Sequence, residues 1–120
     1  MSNYQIAETK TFEKVKKKLD NKLYAKIENF VYPQLRKNPF YGPNIKKLKD
    51  NLEGYYRYRI GNYRLFYLIE DDKLIVAVVD FRHRQKAYDW THDWTHKKEG
   101  HKNGGRGLTF DFLLFLIFNL

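Results

Sequence analysis

The spacing of apolar positions changes several times along the chain. Tyr4, Ile6 and Glu8 alternate with Gln5 and Ala7, a weak period of two that predicts a short first strand. The period then lengthens. Phe12, Val15 and Leu19 recur at helical spacing behind Thr9 or Thr11, and either threonine can cap the helix. Asp20 or Asn21 can cap a second helix, with Leu23, Ile27, Phe30, Val31 and Leu35 near one stripe. Pro33 falls inside that stripe and, lacking an N–H, predicts a kink near residues 29–32. Two antiparallel helices of this kind cover one face of a sheet. Residues 38–44, NPFYGPN, read as a loop, with Phe40 and Tyr41 anchoring it to the body. Residues 45–53 are ambiguous between a turn of helix and an irregular approach to the sheet, and Gly54 ends them.

From residue 55 the period returns to two. Strand-like runs occupy residues 55–60, 63–70 and 74–81. The last, LIVAVVDF, is almost continuously apolar, as expected of a strand buried on both faces. Gly61-Asn62 and Asp71-Asp72 are short enough for two-residue hairpin loops, and glycine first suits a type II′ turn. The order of strand, two helices and three-stranded antiparallel run gives an α+β class.

That hairpin has an electrostatic consequence. If Ile60 pairs with Tyr63, Arg59 lies directly opposite Arg64, with Arg57 and Phe66 on the same face. Like charges directly opposite each other are destabilising. An anionic ligand removes the conflict, and a planar guanidinium suits phosphate. The plainer alternative is neutralisation by Glu53, Glu70 or Asp80. Tyr56, Tyr58, Ile60, Leu65, Tyr67 and Ile69 form the other, more apolar side, which receives the helices and leaves the arginine side open. The last run ends in Asp80-Phe81-Arg82-His83-Arg84, adding two cations and an imidazole. If alternation holds past Phe81, His83 shares the face of Arg64. Tyr88 is close enough in sequence to fold back over the site.

Composition sharpens this picture. One domain fits 120 residues, and the net charge of +9 with a pI near 9.6 favours polyanionic partners. Lys14, Lys16, Lys17 and Lys18 form either a solvated helix face or a further backbone contact. Ten tyrosines and nine phenylalanines make aromatic stacking on a partner an expectation. The absence of cysteine excludes disulfides and zinc-thiolate sites. A reducing cytosol fits, the first ten residues do not read as a signal peptide, and no membrane role is expected.

The character changes after residue 89. Residues 1–89 read as the domain and 90–120 as an atypical tail, flexible and then apolar. Across the boundary, Asp89-Trp90-Thr91-His92 is repeated at once as Asp93-Trp94-Thr95-His96. His92 and His96 have an i, i+4 spacing, but poor helix formers surround them and no acidic partner set accompanies them, so no metal is expected. Residues 108–120, LTFDFLLFLIFNL, are apolar but shorter than the ~20 residues of a spanning helix. The duplication and the shift in composition suggest an altered or read-through terminus, or else a genuine extension.

The stretch YRYRIGNYRLFYLIEDDKLIVAVVDFRHRQKAY resembles the RelE/ParE toxin superfamily, with its basic strand, its GNYRLFY segment and a final basic cluster closed by a tyrosine. The resemblance spans roughly residues 3–89. It implies a four-stranded sheet with the helices on one face, and a RelE-type ribosome-dependent endoribonuclease that cuts mRNA without metal or cofactor in the cytoplasm. Arg64, Arg82, His83 and Tyr88 fall on catalytic positions by that likeness. Arg57, Arg59, Arg84, Lys16 and Lys17 become RNA contacts. Some relatives have a lysine as candidate base where this chain has Arg59, which cannot give up a proton at neutral pH. The base then falls to His83, or to Glu53 or Tyr88. The implied partners are a cognate antitoxin, the ribosome and mRNA. The competing implications are a ParE-like binder of DNA gyrase and a non-catalytic nucleic-acid-binding module.

Overall fold

The computed structural model describes residues 3–49 and 52–86. Tyr88, the histidine pair and the whole 90–120 tail lie outside those residues. Strand β1 is Gln5–Glu8, followed by helices α1 (Lys10–Lys16) and α2 (Asn21–Lys26). One turn of π-helix, Ile27–Val31, joins α2 to α3 (Tyr32–Lys37). Strands β2 (Ile45–Lys47), β3 (Tyr55–Ile60), β4 (Tyr63–Glu70) and β5 (Ile75–His83) complete the described chain. The sheet order is β1-β5-β4-β3-β2, with β1 parallel to β5 and the other neighbours antiparallel.

The sheet therefore has five strands where four were expected. The extra one is β2, in the ambiguous 45–53 stretch. Ile45, Lys46 and Lys47 pair with Tyr58, Arg57 and Tyr56. Three residues carry too little periodicity to announce a strand, and tertiary pairing with β3 decides it.

Thr9 is fully buried, accepts from the Phe12 N–H to cap α1, and donates its hydroxyl to the Val78 carbonyl at 2.8 Å. It fixes α1 to the centre of the sheet. Asp20 caps α2 through the Lys22 N–H. The proline signal is answered by the π turn. The Tyr32 N–H donates to the Ile27 carbonyl, a wider span than the α repeat, and Pro33 then sits in the first turn of α3, where a missing donor does no harm. Ile27, Val31 and Leu35 are buried as the stripe requires, but Phe30 is 71% exposed. It lies within the wide turn, where the simple helical repeat no longer assigns faces.

The principal core joins Phe12, Ile27, Val31, Tyr32 and Leu35 to Tyr56, Tyr58, Leu65, Tyr67, Val76, Val78 and Phe81. All the helices thus cover one sheet face. Leu52, Tyr55, Leu68, Ala77 and Val79 form a second, smaller cluster with Leu48 and Ile75. The segment before β3 accordingly laps part of the opposite face, and the arginine side is only partly open. Phe40 anchors its loop edge-on to Tyr4 and Tyr56. Tyr41 does not, being 78% exposed.

Glu8 ties β1 to the helices. Its carboxylate accepts from Tyr24 Oη (2.5 Å), Tyr32 Oη (2.8 Å) and Lys16 Nζ (3.1 Å). Burial raises its pKa, but the bonds from Tyr24, Tyr32 and Lys16 outweigh that and hold it below the ordinary glutamate value. A carboxylate whose folded pKa is depressed adds stability at neutral pH and loses it as pH falls through the folded value. Glu8→Gln should flatten the acid limb of the melting temperature plotted against pH. Parallel curves for the two proteins would contradict this.

Candidate nucleic-acid interface

Two turns and one irregularity build the basic face. Gly61 has φ +54 and Asn62 is not in the left-handed region, which matches the expected type II′ turn. Ile60 pairs with Tyr63, and Arg59 with Arg64. The second turn departs from expectation. Asp71–Lys73 form a 3₁₀ turn, Leu74 adopts φ +54, and pairing resumes only at Glu70 with Ile75. Leu74 thus belongs to the loop and not to β5.

The pairing of β4 with β5 slips between Phe66 and Tyr67. Phe66 faces Asp80 while Tyr67 faces Val78, so Val79 is an extra residue. The bulge inverts the alternation of the last part of β5. Arg82 then pairs with Arg64, and His83 with Tyr63. His83 is therefore on the opposite side of the sheet from Arg64, contrary to the parity expectation, and its ring meets Tyr63 edge-on at 5.4 Å. Beside it, a groove of about 430 Å³ is lined by Lys14, Val15, Lys18, Leu19, Phe81, Arg82, His83 and Lys86.

Arg59, Arg64 and Arg82 stand level across three adjacent strands. The neighbouring row is Lys46, Arg57, Phe66 and Asp80. Arg64 turns back so that Nη1 donates to the carbonyls of Gly61 (3.1 Å) and Tyr63 (2.9 Å). Burial, followed by the charges of Arg57, Arg59 and Arg84, pulls its pKa below the ordinary arginine value. Arg57 is lowered in the same way, by burial and then by Arg59. Its buried Nε has no hydrogen-bond partner among the described residues, an arrangement that costs about 1–3 kcal/mol or more for a buried donor. Arg84 is the first of the helical residues 84–86 that follow β5, and its N–H donates to the Asn62 carbonyl at 2.7 Å.

Among the described residues, neutralisation of this face is confined to one position. Among the described residues, ion pairs join Lys16 to Glu8 and Arg82 to Asp80, and none reaches Arg57, Arg59, Arg64 or Arg84. Glu53 is exposed in the loop before β3 and makes no such pair. Apart from Arg82, the row is thus a cluster of like charges that no carboxylate of the described residues pairs with.

Other expected contacts are dispersed. Lys16 is committed to Glu8 and sits over the Tyr24 ring at 4.6 Å, away from the arginines. Lys17 is exposed at the end of α1. The aromatic surplus fills the core: Tyr4, Tyr32, Tyr55, Tyr56, Tyr58 and Tyr67 are buried and unable to stack on bases. Lys46 and Asp80 join the basic face although periodicity did not single them out as contacts. Lys46 needed the β2 register, and Asp80 needed the bulge.

Comparison with known proteins identifies the scaffold. A family model described as the ParE toxin of the type II toxin-antitoxin system, parDE, matches residues 5–88. The toxin RelE of Mycobacterium tuberculosis is 32% identical over 85 residues, which cover 71% of this chain and 86% of that protein. The toxin-antitoxin complex RelBE2 from Mycobacterium tuberculosis contains a chain that superposes with a TM-score of 0.61 at 29% identity, covering 68% of this chain and 99% of that one. The RelB-RelE complex from Methanococcus jannaschii gives 0.54 at 28%, over 70% and 96%. The level arginines, the helix-backed sheet and these likenesses converge, and the chain belongs to the RelE/ParE superfamily of type II toxin-antitoxin toxins.

Proposed function

We propose that this toxin is a ribosome-dependent endoribonuclease whose basic face binds and cleaves mRNA. The observation that carries this reading is the level row of Arg59, Arg64 and Arg82, with Arg57 beside it, unpaired by any carboxylate of the described residues except at Arg82. Its likeness to a toxin named RelE supports the same reading. The RNA 2′-hydroxyl attacks the adjacent phosphorus, its proton passes to a base, and the 5′-oxygen leaves with a proton. The product end is a 2′,3′-cyclic phosphate. Arg64 and Arg82 stabilise the charge that develops on the phosphoryl oxygens. Arg57, Arg59 and Arg84 hold the flanking backbone. His83 is exposed at the end of β5 but lies on the other side of the sheet from Arg64, so its role in moving the proton rests on the resemblance and not on the geometry of the face. Tyr88 keeps its catalytic assignment on the resemblance alone. No metal is required by this chemistry.

A cognate antitoxin is the expected partner, because the matched chains come from toxin-antitoxin complexes. The proposed site of action is the cytoplasm. No helix among the described residues is long and apolar enough to cross a membrane.

The family model carries the ParE description, so a gyrase-directed binder is the second reading. Primer extension on mRNA from expressing cells separates the two. Cuts phased with codons support the nuclease, whereas uncut mRNA with DNA damage supports the binder.

A further inference from the structure

Asp80 is a carboxylate on the arginine face, at the β5 end of the row Lys46, Arg57 and Phe66. It is 4% exposed, and a buried charge is unfavourable unless it is paired and hydrogen-bonded. Both oxygens are engaged. Oδ1 accepts from the Phe81 N–H at 2.8 Å, and Oδ2 accepts from Arg82 Nε at 2.8 Å. The first bond fixes the Asp80 side chain against its own strand. The second takes the guanidinium by its inner nitrogen, so the two terminal nitrogens remain available for a phosphate.

Arg82 needs such a hold. Its ladder partner is Arg64, and beyond Arg64 stands Arg59. Repulsion along that row favours an Arg82 side chain swung away into water. The bulge at Val79 belongs to the same device. With strict alternation from Val76 and Val78, Phe81 and His83 would occupy the arginine face. The extra residue brings Asp80 and Arg82 there instead.

We propose that Asp80 is a positioning residue that holds Arg82 beside Arg64, so that the two guanidinium groups meet on one RNA phosphate. This rests on the nuclease reading. It gives Asp80 a task beyond neutralisation, since it sets where the charge of Arg82 is placed before RNA arrives.

Single-turnover cleavage of mRNA on programmed ribosomes tests it with Asp80→Ala, Asp80→Asn, Arg82→Ala and the Asp80→Ala/Arg82→Ala double variant. Misplacing a catalytic group by about 1 Å costs on the order of 100-fold in rate. Asp80→Ala is expected to slow cleavage about that much with little change in KM. Asp80→Asn keeps one of the two acceptor oxygens and loses the charge, so its rate is expected to fall between those of Asp80→Ala and wild type. In the double variant the loss of Asp80 adds nothing, because both changes remove one function. Melting curves of every variant exclude unfolding as the cause, and Asp80→Asn carries the test if Asp80→Ala does not fold. An Asp80→Ala rate equal to wild type, an Asp80→Asn rate equal to wild type, or multiplicative losses in the double variant would overturn the assignment. A wild type that leaves mRNA intact defeats the nuclease reading itself, whereas an active wild type with any of those three results defeats only the role of Asp80.

Discussion

Replacing Arg64 by alanine is expected to slow ribosome-programmed mRNA cleavage about 100- to 1000-fold, the usual loss when one donor to a developing oxyanion is removed. Arg64 occupies the middle of the arginine row, between Arg59 and Arg82. A phosphate seated on the row meets it whichever neighbour it also contacts. The same substitution should not weaken the fold. Arg64 is half-buried, its bonds go to two turn carbonyls that solvent can replace, and its pKa is lowered by burial and by three other arginines. Removing it relieves repulsion on the sheet, where a like-charge pair costs a few tenths of a kcal/mol to about 1 kcal/mol. Cleavage rate and thermal melting measured on one preparation check both halves. A rate within a few-fold of wild type, or a large drop in melting temperature, would contradict the account.

The second large effect concerns the platform under that row. Phe12→Ala should lower the free energy of unfolding by about 3–5 kcal/mol. Phe12 is fully buried, one turn after the Thr9 cap, in the cluster that joins α1 to Val76, Val78 and Phe81. Domains of this size have about 5–15 kcal/mol in all, so the variant keeps little reserve. Urea denaturation followed by circular dichroism measures the loss. A change under about 1 kcal/mol would mean that the helix layer can close around the cavity, against the range usual for buried aromatics.

Part of this face was legible in the sequence for a simple mechanical reason. A two-residue turn at Gly61-Asn62 fixes register without help from elsewhere, so Arg59 opposite Arg64 follows from counting. The division of β3 and β4 into an apolar side and a basic side follows from the same period of two. The caps at Thr9 and Asp20, and the disturbance before Pro33, were equally local. What escaped depended on non-local pairing or on backbone torsions that side chains do not declare. Leu74 looks like a strand residue, but its left-handed conformation lengthens the second turn. The bulge at Val79 lies in an apolar run with no alternation to break, so its effect on the faces of Arg82 and His83 was invisible. Phe30 matched a regular helical stripe that the π turn then interrupted. The tyrosines signalled aromatic content, and only packing revealed that it fills the core.

The central claim is that the arginine row acts on RNA phosphate within a translating ribosome. The most direct measurement maps the cut and identifies the new 3′ end on mRNA held by ribosomes of defined codon register, with wild-type protein and Arg64→Ala side by side. The account predicts cuts at the codon presented in the ribosomal A site, a 2′,3′-cyclic phosphate end, and product almost absent with Arg64→Ala. Intact mRNA with folded wild-type protein, or equal cleavage by both proteins, would contradict it.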